Sequence, residues 1–116
     1  MKARVSNKGV EKRNVEFEEI TKKAKKMQEE MQKATEMLEA KEYANTSSDG
    51  SVEAVVNGKF EIVKLDIKKG IVKEENREMI CDFITVAINE ALREAREERE
   101  TVMDEISGGL DIPGGF

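Results

Sequence analysis

Four lysines crowd into five positions near the start of the chain, and they are the residues best suited to bind an anion. Lys22, Lys23, Lys25 and Lys26 lie in the stretch TKKAKKMQEEMQKA. Clustered ammonium groups displace counterions from a nucleic-acid backbone, so phosphate binding is the chemistry that this cluster would support. The alternative is ordinary helix support, because each lysine has a glutamate four positions away. The charge pattern alone favours this alternative, a solvated helix face.

Residues for catalysis or metal binding are scarce in this sequence. The chain has no histidine and one cysteine, so it cannot assemble zinc sites of thiolate and imidazole, Cys–His nucleophilic pairs or a disulfide framework. Cys81 stands among Met79, Ile80 and Phe83, which indicates packing rather than reactivity. The acidic residues fall mainly into helical charge patterns. We therefore expect no enzyme activity, no metal and no cofactor.

Length and charge indicate a single, unusually polar domain. Charged residues make up 39% of the 116 positions, well above the usual roughly 25%, and this favours long solvated helices. No run of about 18 apolar residues could cross a membrane, and the first residues, MKARVSNKGVEKRN, include no apolar stretch typical of a signal sequence. We expect a cytoplasmic protein without membrane contact.

Two long helices are predicted at the ends of the chain. The first covers residues 15–42, where apolar residues recur at intervals of three and four, as in the seam of a coiled coil. This seam consists of Phe17, Ile20, Ala24, Met27, Met31, Ala34 and Leu38. The second covers residues 74–106 and carries a broad apolar stripe that could cover a sheet and still meet a neighbouring helix. Gly108 and Gly109 end it.

The middle of the chain has the period of β-strands. In SVEAVVNGKFEIVKLDI, apolar residues alternate on both sides of Asn57-Gly58, a dipeptide typical of a two-residue hairpin turn that needs positive φ angles. The alternation changes phase between Ile62 and Val63, which indicates a bulge or a strand covered on both faces. KEYANTS before the turn at Asp49-Gly50 is a weaker third strand. The prediction is an α+β fold, α-β-β-β-α, with an antiparallel sheet in the order 1-2-3.

The lengths of these elements predict protruding helices and a dimer. The helices span roughly 40 to 50 Å, whereas a six-residue strand spans only ~20 Å. Both helices must therefore overhang the sheet, with the N-terminal half of the first beside the C-terminal half of the second. One small sheet cannot cover the apolar seams of such an arm. A symmetric homodimer would bury them.

Four segments together resemble the YbaB/EbfC family of nucleoid-associated proteins, over about residues 17–116. They are KKMQEEMQKA, VVNGKFEIVKLDI, AINEAL and GGLDIPGGF, in this order and spacing. Matching positions are Asn57 and Gly58 in the hairpin turn, Asn89 and Ala91 in the second helix, and Gly109, Leu110, Pro113 and Gly114 at the C-terminus. The resemblance implies a tweezer-like homodimer in the nucleoid that binds double-stranded DNA through its helical arms with little sequence preference. The first fourteen residues depart from the family pattern.

The resemblance turns the lysine cluster into a candidate DNA-binding site. We expect a basic flexible tail at residues 1–14, a dimerisation and DNA-binding domain at 15–107, and a Gly/Pro-containing tail at 108–116. The tail, the lysine cluster and Arg99 are expected to gather at the tip of the arm. The full set of candidate DNA-binding residues is Lys2, Arg4, Lys8, Lys12, Arg13, Lys22, Lys23, Lys25, Lys26, Lys33, Arg93, Arg96 and Arg99.

Two other functions fit parts of the pattern. Long heptad-like helices flanking a hairpin also occur in prefoldin-like chaperones, whose arms hold apolar segments of client proteins. The broad stripe of the second helix and the ending GGLDIPGGF argue against that architecture. A dimeric adaptor that recruits other proteins through its tails is compatible with DNA binding, although no residue identifies such a protein partner.

Overall fold

The computed structural model describes the backbone of residues 2–108 and the side chains of residues 15–108. In chain order the elements are α1 (Lys2–Ala40), β1 (Glu42–Thr46), β2 (Val52–Asn57), β3 (Ile62–Ile67), two 3-10 turns (Lys69–Ile71 and Glu74–Asn76) and α2 (Arg77–Gly108). The strands form an antiparallel sheet in the order β1-β2-β3. The predicted α-β-β-β-α fold and strand order are confirmed. Residues 109–116 of the predicted C-terminal tail lie outside the described residues.

The helices differ from the predictions mainly at the start of α1. This helix begins at Lys2 rather than at residue 15, and it ends at Ala40, directly before the Lys41 link to β1. The added segment has no proline, and its single glycine costs a helix only about 1 kcal/mol. The prediction relied on apolar periodicity, which is absent from these polar residues. Residues 74–76, predicted as the start of the second helix, form a 3-10 turn before α2.

The sheet has a bulge, one of the two explanations that the change of phase left open. Along β2 and β3, Val55 lies opposite Lys64 but Val56 lies opposite Ile62, so Val63 is the extra residue. The bulge keeps Ile62 and Leu65 on one face of the sheet, because Leu65 lies opposite Ala54 and both Ala54 and Val56 are fully buried there. This explains the change of phase between Ile62 and Val63.

Between β2 and β3, residues 58–60 form a three-residue turn closed by Asn57 and Glu61, so the predicted two-residue turn is wrong. Asn57 closes the turn: its carbonyl accepts from Phe60 N (3.0 Å), and its N–H donates to Glu61 O (3.0 Å). The Asn57 side chain also accepts from Lys59 N at 2.9 Å. The positive φ angle, 64°, falls at Phe60 and not at Gly58. A type I turn followed by one left-handed residue gives this geometry.

Gly58 instead allows the hairpin to approach the backbone of α1 closely. A Cβ at this position would overlap the Leu38 carbonyl and lie 2.8 Å from Glu39 N, both in the backbone of α1. The Gly58 N–H also donates to Lys41 O at 3.1 Å. The hairpin therefore rests directly on the C-terminal end of α1, and only glycine fits between them.

The core lies between α2 and the first two strands. Ala87, Ala91 and Ala95 are buried on α2, and their small side chains let the helix approach the sheet closely. Tyr43 of β1 and Val56 of β2 complete a cluster with Ala91 and Ala95. α2 does not cover β3. Leu65 of β3 is 43% exposed, although it lies on the same face of the sheet as the fully buried Ala54. One chain therefore covers only part of its apolar sheet surface.

α1 and α2 leave the sheet at the same end and form an arm. The Lys41 ammonium contacts the Glu98 carboxylate, and the Asn45 amide donates to Glu94 at 2.8 Å. Farther along, Ala34 and Leu38 are buried where α1 contacts α2 and β2. The resulting molecule measures 91 × 26 × 16 Å. Neither of its two long helices, over the described residues, has a stretch apolar enough for a membrane span.

Candidate nucleic-acid interface

The lysine cluster lies on the protruding part of α1. Lys22, Lys23, Lys25 and Lys26 are all exposed, and so is Lys33 nearer the sheet. From Lys41 at the sheet back to Lys26, α1 rises by ~22 Å. The cluster therefore stands clear of the sheet and of most of α2, where acidic residues outnumber the arginines.

The helix-support pairs suggested by the sequence are not formed. The ion pairs among residues 15–108 join Lys41 to Glu98, Lys64 to Glu53, and Arg93 to both Glu90 and Glu97. None of them uses a lysine of the cluster or Lys33. In this described part of the chain, the cluster presents its ammonium groups to solvent.

Arg93 and Arg96 of α2 contact other residues of the chain, near the end of the arm that joins the sheet. Arg93 hydrogen-bonds to Glu90 and to Glu97, and these contacts, first the one with Glu90, raise the pKa of its guanidinium. Arg96 lies over the Phe60 ring at 5.9 Å from its centroid, the geometry of a cation–π contact. Two of the three predicted arginines thus have partners within the chain.

Arg99 lies at the root of the arm, so the expectation that it gathers with the lysine cluster is wrong within one chain. Its neighbour Glu98 contacts Lys41 where the helices leave the sheet, and this contact lowers the pKa of Glu98. Along α1, Lys41 is about 22 to 29 Å from the cluster. The reason is the place of the junction, since Arg99 is the first residue of α2 beyond Glu98. The helices also differ in length beyond this point: α2 continues for only ~15 Å to Gly108, whereas α1 continues for ~58 Å to Lys2.

This difference also corrects the predicted pairing of the helices. Ten residues beyond Glu98, Gly108 is level with about Met31 of α1, since each helix rises ~1.5 Å per residue. Met27 and Met31 are half-buried, but Phe17 and Ile20 of the same seam are exposed. The described part of α2 therefore lies beside the C-terminal half of α1 rather than its N-terminal half.

The five basic residues of the N-terminal segment belong to α1. The helical backbone runs through Lys2, Arg4, Lys8, Lys12 and Arg13, so these positions follow the cluster along the same helix, farther from the sheet. Their side chains lie outside the described residues.

An apolar surface that the sequence pattern did not reveal lies next to the cluster. A groove on α1 is lined by Phe17, Glu18, Thr21, Lys22 and Lys25. The apolar spacing predicts Phe17 in a buried seam, because periodicity does not reveal how far the partner helix extends. The structure leaves this side chain 69% exposed.

With this geometry established, comparison with known proteins identifies the family. The sequence model of the YbaB/EbfC DNA-binding family matches residues 13–110. The chain belongs to this family. The match begins after most of the N-terminal segment, the part whose sequence departs from the family pattern.

Relatives agree with this assignment, and a solved structure agrees with the fold. The chain is 40% identical to a nucleoid-associated protein of Clostridium novyi over 97 residues, 84% of this chain and 85% of that one. It is 41% identical to a nucleoid-associated protein of Clostridium acetobutylicum over 95 residues, 82% of this chain and 85% of that one. A crystal structure of an uncharacterised Helicobacter pylori protein superposes with a TM-score of 0.59 at 23% identity, covering 68% of this chain and 92% of that one. This last likeness supports the fold alone.

Proposed function

We propose that the protein is a nucleoid-associated, homodimeric protein that binds double-stranded DNA with the protruding part of α1. Contacts with phosphate groups provide most of the affinity, and sequence preference is small. The observation that carries the proposal is an exposed lysine cluster on the arm of a chain that belongs to a DNA-binding family. The names of its relatives support a place in the nucleoid.

The distribution of charge favours contact through the arm. The formal charge of the chain is -5, and residues 74–107 hold 4 arginines against 11 acidic residues. DNA requires a local basic patch rather than a basic protein, because affinity depends on the counterions displaced at the contact. The acidic α2 repels phosphates near the sheet. The lysine cluster, extended by the basic positions of the N-terminal segment, is the surface that DNA can approach.

Readout of bases has little support in these residues. The candidate contacts are lysines and arginines on one helix, and such side chains mainly bind phosphate oxygens, which are the same in every sequence. The flexible stem and point charge of lysine suit this role better than bidentate recognition of a base. We therefore expect unrelated duplexes to bind with similar affinity.

A homodimer is supported by the uncovered face of β3. Ile62 and Leu65 are 54% and 43% exposed on the face that α2 covers over β1 and β2. β3 is also an edge strand, with one side of its backbone unpaired in the described sheet. Exposed apolar edge strands promote association. A second copy placed symmetrically on β3 would bury this surface and hold two lysine arms in one particle.

Fluorescence anisotropy with two unrelated labelled duplexes tests the proposal at about 50 and 200 mM salt. The test variant replaces Lys22, Lys23, Lys25 and Lys26 with alanine. A matched control replaces four exposed lysines outside the arm: Lys59, Lys68, Lys69 and Lys73. Both variants lose the same charge, so only the position of the lysines differs.

We expect both duplexes to bind the unmodified protein similarly, with affinity that falls steeply with salt. The cluster variant should lose most of this affinity and the control little. No binding at low salt would refute the function, and suppression of a model client's aggregation would then favour the chaperone alternative. Equal losses in the two variants would refute the role of the arm.

A further inference from the structure

Phe60 has a backbone conformation that bulky residues rarely adopt. In the described part of the chain it is the one non-glycine residue with a positive φ, 64°. A left-handed conformation brings the Cβ close to the following carbonyl, and glycine or asparagine would adopt it with less strain. Such strain persists only where the surrounding structure holds it, and it concentrates at functional sites. The Phe60 side chain is therefore expected to have a role that asparagine could not fill.

The ring of Phe60 packs against α2 at the root of the arm. Arg96 lies over this ring, 5.9 Å from its centroid. Two residues farther along α2, Glu98 contacts Lys41. Successive side chains of an α-helix point ~100° apart, so Arg96 and Glu98 leave α2 in nearly opposite directions. The hairpin and the link between α1 and β1 therefore hold α2 from two sides at one level.

The same hairpin supports the end of α1. Gly58 lies directly against the Leu38 carbonyl, and its N–H donates to Lys41 O at 3.1 Å. Within residues 15–40 of α1, the buried side chains are those of Ala34 and Leu38. Because so little of α1 is buried, the hairpin is a large part of what holds this helix to the sheet.

Hydrogen bonds tie the turn between these two contacts together. The side-chain oxygen of Asn57 accepts from Lys59 N at 2.9 Å and from Glu61 N at 3.1 Å. The Asn57 carbonyl accepts from Phe60 N at 3.0 Å. An asparagine that closes a turn with both its side chain and its backbone restrains the residues between. The contact of the turn with α2 therefore also restrains Gly58, which supports α1.

We propose that Phe60 and Arg96 brace the hairpin against α2 and so fix the direction of the protruding part of α1. The proposal rests on the proposed function, in which the lysine cluster must meet DNA. From Leu38 to Lys22, α1 rises by ~24 Å, so a tilt of ~10° at the root moves the cluster by ~4 Å. Each strand of duplex DNA has one phosphate per ~3.4 Å of its axis. Arg96 is thus a positioning residue rather than a phosphate contact.

Three substitutions and a control test this brace in the full chain. Phe60→Asn removes the ring and suits a positive φ, so this variant should fold as well as the unmodified protein. Arg96→Lys keeps the charge but loses the planar group that stacks on the ring. Phe60→Tyr keeps the ring and should behave like the unmodified protein. Arg77→Lys is the matched control, because it makes the same replacement at the far end of α2.

DNA anisotropy at several salt concentrations separates positioning from contact. Phe60→Asn and Arg96→Lys should bind two unrelated duplexes about two- to tenfold more weakly, because binding must then order the arm. The slope of log K against log salt should not change, since the phosphate contacts are the same. Undiminished affinity in either variant would overturn the proposal, and so would a slope whose magnitude falls by ~0.9, the loss of one phosphate contact. Monomers of Phe60→Asn in sedimentation velocity would also overturn it, because Phe60 would then belong to the dimer interface.

Distances between two spin labels test the direction of the arm without DNA. The labels are attached after Lys33→Cys on α1 and Lys68→Cys beyond β3, with Cys81→Ala, and excess unlabelled protein leaves one labelled chain in each dimer. The distance distribution should be broader in Phe60→Asn and Arg96→Lys than in the unmodified protein and Phe60→Tyr. Equal widths in all four would overturn the brace. If the unmodified protein binds neither duplex, the proposed function fails, whereas these widths still decide whether the brace exists.

Discussion

Replacing Gly58 with alanine should detach the hairpin from the base of the arm. The new methyl group would overlap the Leu38 carbonyl and lie 2.8 Å from Glu39 N. These are backbone atoms at the end of a helix, so the obstruction cannot be relieved by a change of rotamer. Overpacking of this kind costs ~1 to 3 kcal/mol or somewhat more, and the backbone contact indicates the upper end of the range.

Urea unfolding at a fixed protein concentration measures this loss. A destabilisation of about 3 kcal/mol lowers the midpoint by roughly 1 to 3 M when the m-value is ~1 to 3 kcal/mol/M. Gly70→Ala is the matched control, because its added Cβ would meet nothing within 4 Å and its φ is not positive. That change should be neutral or stabilise by up to ~1 kcal/mol. Equal midpoints for the two variants would refute the close approach of the hairpin to α1.

Three further predictions concern the dimer and two ionisable groups. Leu65→Glu should give a monomer in sedimentation velocity, because it places a charge on the uncovered sheet face. Val72→Glu is the control, since Val72 lies outside the sheet and is 62% exposed. This variant should remain a dimer. Tyr43 is the sole tyrosine, and burial, followed by the Glu98 carboxylate, raises its pKa to about 12. Absorbance titration should therefore show the Tyr43 phenol ionising near pH 12. The contribution of Tyr43 to the free energy of unfolding should be complete below pH 10 and be lost between pH 10 and pH 12. A titration midpoint near pH 10 would contradict the burial. Hydrogen bonds from the hydroxyl and N–H of Ser51 lower the pKa of Asp49 to about 2. The free energy of unfolding should therefore fall between about pH 4 and pH 2, and it should fall less steeply in Asp49→Asn than in the unmodified protein. Identical acid unfolding curves for the two proteins would contradict this.

The sequence predicted the elements better than their contacts. The strands and bulge were predictable because the alternation of Val52, Ala54 and Val56 and its later change of phase are local patterns. The role of Gly58 was not, since its partner is the Leu38 carbonyl, twenty positions away along the chain. Asn57-Gly58 is a typical turn dipeptide, yet the strained φ falls at Phe60, beside Arg96 of α2.

The candidate site was predictable in composition but only partly in arrangement. The lysine cluster on α1 is as exposed as its polar spacing indicated. The position of Arg99 depended on where the two helices leave the sheet, and the Lys41–Glu98 contact that marks this junction joins residues distant in sequence. The exposure of Phe17 has the same origin, because the length of α2 beyond the junction decides how much of the seam it covers.

The salt dependence of DNA affinity tests the central claim most directly. For B-DNA, the slope of log K against log salt changes by ~0.9 for each phosphate contact, so loss of four lysine contacts should reduce its magnitude by up to ~3.6. We predict this reduction for the alanine variant of Lys22, Lys23, Lys25 and Lys26, and an unchanged slope for the control that lacks four lysines outside the arm. An unchanged slope in the cluster variant would contradict the account, because DNA would then contact another part of the molecule.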